Sequence, residues 1–332
     1  MSSIARVTIF SSQFPENVRS ALYASLRSRQ LNHKFLYDGI KQTQKWLALH
    51  EAHSPSRTDP DCEQIYERSF QAVARRIATP RVHVIGLGCG GGQKDTRLLQ
   101  AVCNLNKAAF YTPCDVSVAM VLTSQQRALS VVSPSNCFPV VCDLAETPDL
   151  AQLLPLVWEH GSQCEIARLL ACFGMLPNFE PNQILHQLAG ILRPNDLLLL
   201  SANLAPGEDY SAGMKHIFPQ YDNALTRDWL FSFLLDLGIK QSDGELQFKI
   251  EDGPGPEGLK RVAAYFQFRL PCSIHVDSEV FGFQTGESFR LFFSYRYTPA
   301  SLVVFLGPYG LEVREQWLTR SQEEGVFLVS KA

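Results

Sequence analysis

The sequence predicts an α/β fold built on a mostly parallel sheet, joined to a second part of α+β type. Two observations predict it. Between residues 81 and 203, short apolar runs alternate with amphipathic stretches, as in strands covered by helices on both faces. After Asn203 this alternation stops, and longer segments with an antiparallel strand pattern follow. The length of 332 residues fits two domains, or one large domain with insertions.

The pattern divides the sequence into three regions, which are described here in chain order. The first contains apolar residues near a 3.6 period over 11–29, a break at 54–60 and a helical pattern over 61–77. The second predicts five strands at 82–85, 108–111, 138–141, 167–172 and 197–200, with helices that begin near Lys94, Ser117, Asp149 and Pro181. The third predicts a helix over 210–237, strands at 245–250, 262–270, 273–281 and 289–295, a helix over 299–306 and two final strands at 311–318 and 326–329.

The composition excludes several classes of protein. A hydrophobic fraction of 45% with 19% charged residues is ordinary for a globular chain and excludes long disorder and coiled coil. The net charge of −3 leaves no basic excess for nucleic acid or an anionic membrane, and no uncharged apolar stretch reaches the ~18 residues of a membrane helix. The 21 phenylalanines are an apolar surplus that belongs either to the core or to a pocket.

The cysteines favour a reduced protein. There are nine, none in a Cys-x-x-Cys pair, and no histidine stands at zinc-finger spacing from them. The N-terminus lacks an apolar signal core. We therefore expect a cytoplasmic protein with no metal site, and the oligomeric state stays open.

A glycine-rich turn follows the first predicted strand of the sheet. Gly86, Gly88 and Gly90 lie between a buried strand and the helix that begins near Lys94. Glycines suit a tight turn whose backbone a ligand contacts. A purely structural turn is the alternative.

Acidic residues follow the next two strands. Asp115 can accept hydrogen bonds from both hydroxyls of a ribose, or it can cap the helix at Ser117. Asp143 and Leu144 suit an adenine, with the acid at the exocyclic amine and the leucine on the ring. A dinucleotide-dependent dehydrogenase needs only the glycine turn and the first acid, whereas a class I S-adenosylmethionine-dependent methyltransferase is expected to show all three signals. The late strand pair also suits the reversed hairpin of that fold, so the sequence favours a methyltransferase.

Further segments are spread over most of the chain: Lys34-Phe35-Leu36-Tyr37-Asp38, Pro55-Ser56-Arg57-Thr58, Tyr111-x-Pro113-x-Asp115-Val116-Ser117, Pro177-Asn178-Phe179-Glu180-Pro181, Tyr221-Asp222-Asn223 and Phe283-Gln284-Thr285-Gly286-Glu287. Together with the glycine turn and Lys94, they resemble the histidine N-alpha-methyltransferases of ergothioneine biosynthesis and relatives acting on other amino acids.

The resemblance implies a class I Rossmann-like methyltransferase sheet with a second, substrate-covering α+β domain. Residues 66–200 and 297–332 would form the cofactor domain, and residues 1–65 and 201–296 the substrate domain. The residues implied to bind S-adenosylmethionine are Gly86, Gly88, Gly90, Lys94, Asp115, Asp143 and Leu144. Tyr37 and Asn178 would hold the substrate's alpha-amino group at the reaction centre, and Tyr221 and Ser294 would fix its carboxylate or side chain.

The sequence also departs from the family. Phe292 stands where the histidine enzymes have a glutamate that grips the imidazole, and Phe268 falls near a family methionine. Ser54 replaces a tyrosine, and Gly86 stands where an acid normally opens the glycine turn. Because a site built around a polar partner discriminates strongly when that partner is missing, we expect an apolar or aromatic side chain in place of imidazole.

Methyl transfer requires a neutral amine whose lone pair is in line with the S–CH3 bond, away from water. Tyr37 and Asn178 suit this because they hydrogen-bond without charge. Their alternatives are ring packing for Tyr37 and capping of the helix at Pro181 for Asn178. The sequence therefore predicts N-methylation of an amino acid or small amine in secondary metabolism, with S-adenosylhomocysteine as product. O- or C-methylation of a larger natural-product intermediate and a non-catalytic cofactor-binding relative remain alternatives.

Overall fold

The structure is a computed structural model and describes residues 5–145, 166–255 and 258–332. The helix predicted near Asp149 lies outside the described residues. The helices are α1 Pro15–Ser28, α2 Ile40–His53, α3 Pro55–Thr58, α4 Pro60–Arg76, α5 Gln93–Cys103, α6 Val118–Ala128, α7 Pro181–Ile191, α8 Tyr210–Ile217, α9 Ala224–Asp236 and α10 Pro299–Leu306. The strands are β1 Thr8–Ile9, β2 Arg81–Leu87, β3 Ala108–Asp115, β4 Val140–Val141, β5 Ala167–Phe173, β6 Leu197–Asn203, β7 Gly244–Asp252, β8 Lys260–Phe268, β9 Cys272–Val276, β10 Glu279–Phe283, β11 Ser288–Tyr295, β12 Leu311–Leu318 and β13 Glu324–Lys331.

The central sheet confirms the predicted α/β fold. Its eight strands lie in the order β1-β4-β3-β2-β5-β6-β13-β12. The strands from β1 to β6 run parallel, and β13 pairs antiparallel with both β6 and β12, which is the reversed hairpin. Because the chain moves outward in opposite directions from β2, a crevice opens at the carboxyl ends of the strands there, where ligands bind in open α/β sheets.

Two apolar cores cover the two faces of this sheet. Side chains alternate along a strand, so Val84 packs under α4 and α5 while Ile85 faces the side of α7 and α10. Both are fully buried. The near-continuous apolar runs in the sequence follow from burial on both faces.

The second part contains the antiparallel strands that the sequence predicts. A three-stranded sheet has the order β11-β8-β7, and β9 and β10 form a separate hairpin. With α1, α2 and α9, these strands enclose an aromatic-rich core. No helix in the described residues is long and apolar enough to span a membrane.

Two predicted elements are wrong in detail. The single helix over 210–237 is two helices, because Pro219 lies in an intervening 3-10 turn and Asn223 starts α9 by accepting a hydrogen bond from the Thr226 N–H at 2.9 Å. The single strand over 273–281 is a hairpin, because the chain reverses at Asp277, whose φ is 51°. In both cases local turn chemistry overrides a continuous apolar pattern.

Candidate active site

A cavity of about 860 Å³ lies at the carboxyl ends of the central strands, between the sheet and the second part of the chain. It brings together most of the residues singled out in the sequence. Those on its wall are Tyr37, Gly88, Gly90, Lys94, Asp115, Asp143, Leu144, Asn178, Tyr221, Phe292 and Ser294. Gly86 and Phe268 do not line it.

The glycine turn presents its backbone to the cavity. Gly88, Gly90 and Gly92 have φ values of 65°, 50° and 71°, a region that side chains disfavour. A Cβ on Gly88 would lie 2.8 Å from the Met175 sulfur, and one on Gly90 would lie 3.2 Å from the Trp46 ring. Both the backbone angles and the close packing therefore require glycine here.

Asp115 is fixed beside this turn. Its Oδ2 accepts from the Gly90 N–H at 3.0 Å and its Oδ1 from the Ser117 N–H at 3.1 Å. Helix α6 is capped by Ser117, which accepts from Met120 N–H at 3.3 Å, so capping is not the role of Asp115. Each carboxylate oxygen retains acceptor capacity for a hydroxyl. Burial raises the pKa of Asp115 to about 6, although backbone N–H groups hydrogen-bond to it.

Asp143 and Leu144 lie on the same wall, after β4. The Asp143 Oδ1 accepts from the Ala145 N–H at 3.0 Å, and the Lys34 ammonium is 3.7 Å from its Oδ2. Lys34 and Asp143 are both buried, so each compensates the other's charge. Sequence reasoning placed Lys34 in a family segment but did not identify it as this partner.

An acidic group is present at the start of the turn although residue 86 is glycine. A Cβ on Gly86 would collide with the carboxylate of Asp95, which lies on the cavity wall. The Asp95 Oδ2 accepts from the Tyr111 hydroxyl at 2.6 Å. Burial raises the pKa of Asp95 to about 7. The first turn of α5 therefore supplies the acid that the strand end lacks.

Lys94 connects α5 to α4 and to β13. Its Nζ donates to the Tyr66 hydroxyl at 2.8 Å and lies 3.9 Å from the Glu324 Oε1 on β13. Burial lowers the pKa of Lys94. The ammonium thus has an internal partner while it also faces the cavity.

Tyr37 and Asn178 keep their polar ends available. No described residue forms a hydrogen bond with the Tyr37 hydroxyl or with the side-chain amide of Asn178. The Tyr37 ring does pack, against Trp46 at 6.0 Å and Trp229 at 5.4 Å between ring centroids. Glu180, and not Asn178, is the N-cap residue of α7. The packing alternative therefore holds for the ring of Tyr37, and the capping alternative does not hold for Asn178.

An aromatic pocket forms the other end of the cavity. The Phe292 ring lies 5.7 Å from Trp229, 6.3 Å from Tyr221 and 5.8 Å from His33, centroid to centroid. Ser294 follows two residues later on β11 and accepts from the Tyr221 hydroxyl at 3.1 Å. A strand alternates its side chains, so Phe292 and Ser294 share one face, which is the cavity wall.

Phe268 lies elsewhere. It is 1% exposed and packs against Phe266 at 5.1 Å and Phe283 at 4.5 Å. In the antiparallel register Phe292 pairs with Ala264, four residues before Phe268 on β8, so the two positions are ~13 Å apart along the strand. Phe268 therefore belongs to the core of the second part, and the expectation that it lines the pocket is corrected.

His33 lines the same cavity, although it was not among the candidate site residues of the sequence. Neither ring nitrogen has a hydrogen-bond partner among the described residues. Burial, with the charges of Arg290 and Arg261, lowers its pKa to about 3, so the imidazole is neutral. The one signal in the sequence is its position directly before the Lys34–Asp38 segment; its neighbours Phe292 and Phe293 come from a distant strand.

Comparison with known families decides the class of protein. The family model for histidine-specific, S-adenosylmethionine-dependent methyltransferases matches residues 14–211, well over half of the chain. The chain belongs to this family. It is therefore an S-adenosylmethionine-dependent methyltransferase, as the glycine turn and the two acids predict.

Solved structures of other methyltransferases are distant from it. The methyltransferase CcbJ from Streptomyces caelestis is 15% identical, with 82% of this chain and 96% of that chain covered and a TM-score of 0.39. Magnesium protoporphyrin IX methyltransferase from Synechocystis, with bound S-adenosylhomocysteine, is 14% identical, with 90% and 98% covered and a TM-score of 0.42. The 1,6-didemethyltoxoflavin-N1-methyltransferase of Burkholderia thailandensis is 10% identical, with 88% of each chain covered and a TM-score of 0.39. No curated protein matches the sequence significantly.

Proposed function

We propose that this methyltransferase acts on the nitrogen of an amino acid or related small amine whose side chain is apolar or aromatic, and not on histidine. The observation that carries the proposal is the position of Phe292. It lies in an aromatic pocket of the same cavity that holds the glycine turn, Tyr37 and Asn178.

The cofactor end of the cavity fits S-adenosylmethionine, which supplies an electrophilic methyl group when bound. The glycine turn offers backbone at positions where a Cβ would not fit. Asp115 offers two acceptor oxygens for the ribose, and Asp143 and Leu144 offer an acid and an apolar surface for the adenine. Asp95 and Lys94 complete this end of the wall.

The amine end of the cavity is the part next to Tyr37 and Asn178. It requires groups that orient a nitrogen without protonating it. Tyr37 and Asn178 have polar atoms with no partner in the described part of the chain and carry no charge. Burial and the Asp115 charge raise the pKa of Tyr37, so its phenol stays protonated. Both can hold a neutral amine in line with the methyl group, and the ammonium proton leaves to solvent before binding.

The aromatic pocket has the ring of Phe292 at the position where the histidine enzymes are expected to have a glutamate that grips the imidazole. Glu180 does line the cavity, but it already accepts hydrogen bonds from Arg261 at 2.9 Å and from Tyr295 at 2.6 Å. Aromatic rings surround Phe292 instead. Burial of an apolar or aromatic side chain there is favourable by roughly 25 cal/mol per Å² of apolar area. We propose that residues 1–65 and 201–296 form the domain that encloses this substrate.

A methyl-transfer screen tests the proposal. The purified protein is incubated with S-adenosylmethionine and separate panels of amino acids, aryl amines and phenols, and products are identified by mass spectrometry. We expect N-methylated products of aromatic or apolar amino acids. Exclusive methylation of phenols or carbon acids would support the O- or C-methyltransferase alternative, and cofactor binding without any product would support a non-catalytic relative.

A further inference from the structure

A hydrogen-bonded ion pair joins the turn that carries Asn178 to the second part of the chain. Glu180 comes two residues after Asn178 and is the N-cap residue of α7, but its side chain does not cap that helix. The carboxylate turns instead to β8 and β11. Its Oε1 accepts from the Arg261 Nη1 at 2.9 Å, and its Oε2 accepts from the Tyr295 hydroxyl at 2.6 Å. Both carboxylate oxygens are therefore held by donors from another sheet.

These two donors are themselves fixed. Arg261 and Tyr295 are paired directly across β8 and β11, and the Arg261 side chain is only 5% exposed. The guanidinium carbon lies 4.7 Å from the centre of the Phe293 ring, and the Nε donates to the Glu251 Oε1 at 2.9 Å. Because a guanidinium is a planar fork of donors, Arg261 determines where the carboxylates of both Glu180 and Glu251 lie.

The loop after β7 packs against the same link. A Cβ on Gly253 would lie 2.2 Å from the Tyr295 hydroxyl oxygen. A Cβ on Gly255 would lie 3.4 Å from the Pro181 ring, at the start of α7. The backbone of this loop therefore leaves the Tyr295 hydroxyl no room to move away from Glu180 on that side.

Asn178 depends on its backbone for its position. Its side-chain amide has no hydrogen-bond partner among the described residues. It ends the 3-10 turn Leu176–Asn178, in which its N–H donates to the Met175 carbonyl at 3.0 Å. Such short turns have poorer hydrogen-bond geometry than an α-helix. The Glu180 carboxylate, two residues further on, is the nearest point at which side chains of the second part hold this turn.

We propose that Arg261 and Tyr295 are positioning residues that fix Asn178 at the amine through the Glu180 carboxylate. Asn178 and Glu180 line the cavity, whereas Arg261 and Tyr295 do not, so these two act through the link. A displacement of ~1 Å at a reaction centre can cost about 100-fold in rate. The inference rests on the proposed role of Asn178 and deepens it, because the second part of the chain then sets the geometry of the methyl acceptor.

A matched pair of hydroxyl deletions tests the link. Tyr295→Phe removes a donor to Glu180. Tyr265→Phe is the control, because the Tyr265 hydroxyl donates at 2.9 Å to Glu251, the other carboxylate on Arg261. We measure kcat and KM with tryptophan, phenylalanine or leucine, whichever the wild type methylates fastest, and S-adenosylhomocysteine binding by calorimetry. Tyr295→Phe should lower kcat by about 10-fold and Tyr265→Phe by less than about 2-fold, with the cofactor affinity of both within about 2-fold of the wild type.

A double-mutant cycle separates positioning from a general loss of structure. Glu180→Gln places an amide N–H2 against one of the two donors, and it keeps the test valid if Tyr295→Phe does not fold. Both variants should lower kcat in the wild-type background but change it by less than about 2-fold in an Asn178→Ala background, where the side chain to be positioned is missing. Equal factors in the two backgrounds would overturn the inference and leave the proposed N-methylation standing.

Backbone hydrogen exchange of the complex with S-adenosylhomocysteine, followed by mass spectrometry, does not depend on turnover. Residues 174–180 should exchange about 10-fold faster in Glu180→Gln than in the wild type, and Tyr265→Phe should leave them unchanged. Unchanged exchange in Glu180→Gln would overturn the link. If Asn178→Ala keeps full activity, the proposed role of Asn178 and this inference fail together. If none of the three amino acids is methylated, the proposed substrate class fails, and the exchange alone decides whether the link holds the turn.

Discussion

At the level of single residues, Asp95 supplies a carboxylate where the side chain of residue 86 would lie. The two positions are close in space because the glycine turn brings the first turn of α5 back beside the end of β2. A single acid fits this volume, since a Cβ at 86 already collides with the Asp95 carboxylate. Gly86 is therefore tied to the presence of Asp95.

Exchanging the two residues tests this dependence. Gly86→Asp alone should lower the free energy of unfolding by about 2 kcal/mol or more, because two carboxylates would share one buried volume. The double variant Gly86→Asp/Asp95→Ala should recover most of that loss in thermal unfolding. Strictly additive effects in this double-mutant cycle would contradict the shared volume.

We expect Asp115, the proposed acceptor for the ribose hydroxyls, to give the cofactor affinity a pH dependence. Its pKa in the free protein is raised from 3.8 to about 6, and ribose hydroxyls donate best to the ionised form. As the pH falls through 6 the carboxyl group is protonated, so S-adenosylhomocysteine should bind up to about 10-fold more weakly per pH unit. Calorimetry between pH 5 and 8 measures this.

The matched variant is Asp115→Asn, which should bind more weakly at pH 8 and lose this part of the slope. Asp95, whose pKa is raised to about 7 by burial and in part by the charge of Asp115, titrates in the same window, so the comparison is repeated in an Asp95→Asn background. An unchanged slope in Asp115→Asn would contradict the ribose contact.

The sequence predicts those residues whose role follows from strand ends. Asp115 and Asp143 come directly after apolar runs, so their place at the edge of the sheet follows from the fold. Arg261 and His33 have no such signal, because their partners come from segments far away in sequence. Phe268 was misplaced because the register of β8 against β11 depends on the intervening hairpin, which the apolar pattern does not show.

At the level of elements, α2 covers the end of the cavity that holds the glycine turn, where we propose that the cofactor binds. Its Trp46 ring lies against Gly90, and Lys41 and Lys45 pair with Asp236 and Asp228 of α9. Exposed ion pairs contribute little. The contacts of α2 with the glycine turn are apolar, from Trp46 at Gly90 and from Leu47 at Gly91.

Trp46→Ala should therefore weaken S-adenosylhomocysteine binding by about 10-fold, because the wall over the glycine turn is lost. Trp317→Ala is the control, since Trp317 packs on a core away from the cavity. It should lower the melting temperature and leave the cofactor affinity within about 2-fold. Equal effects of the two variants on affinity would contradict the role of α2.

The elements of the central sheet were the easier part to predict. Strands buried on both faces give continuous apolar runs, as at β5 and β6. The second part was harder because its strands are short and joined by turns that single residues determine, such as Asp277. Helix α2 lies in a region whose pattern is mostly helical, but it was not predicted as a separate element, since its amphipathic pattern is weak and it is held by its contacts with α9.

For the whole molecule, the buried histidines and the buried carboxyl groups change the stability of the free protein in opposite directions as the pH changes. His33, His50 and His83 have pKa values lowered from 6.5 to about 3 by burial, so stability is lost as the pH falls below 6.5. Asp38, Asp95 and Asp115 have pKa values raised by burial from 3.8 to about 6, about 7 and about 6, so stability is lost as the pH rises through those values.

The melting temperature of the free protein should consequently change little between pH 4.5 and 6. Asp95→Asn removes one opposing group, and its melting temperature should fall more steeply than that of the wild type as the pH drops through this range. Parallel curves for the two proteins in differential scanning calorimetry would contradict the buried carboxyl.

In the proposed function, the cavity as a whole joins the cofactor site, the amine site at Tyr37 and Asn178, and the aromatic pocket, and we propose that Phe292 determines which side chain the pocket accepts. The most direct measurement is kcat/KM for histidine against tryptophan, phenylalanine and leucine, in the wild type and in Phe292→Glu. We expect the wild type to favour at least one of the apolar or aromatic substrates over histidine by 10-fold or more, and Phe292→Glu to shift that ratio toward histidine by about 10-fold. Turnover of histidine by the wild type at a rate comparable with every apolar and aromatic substrate would contradict the account.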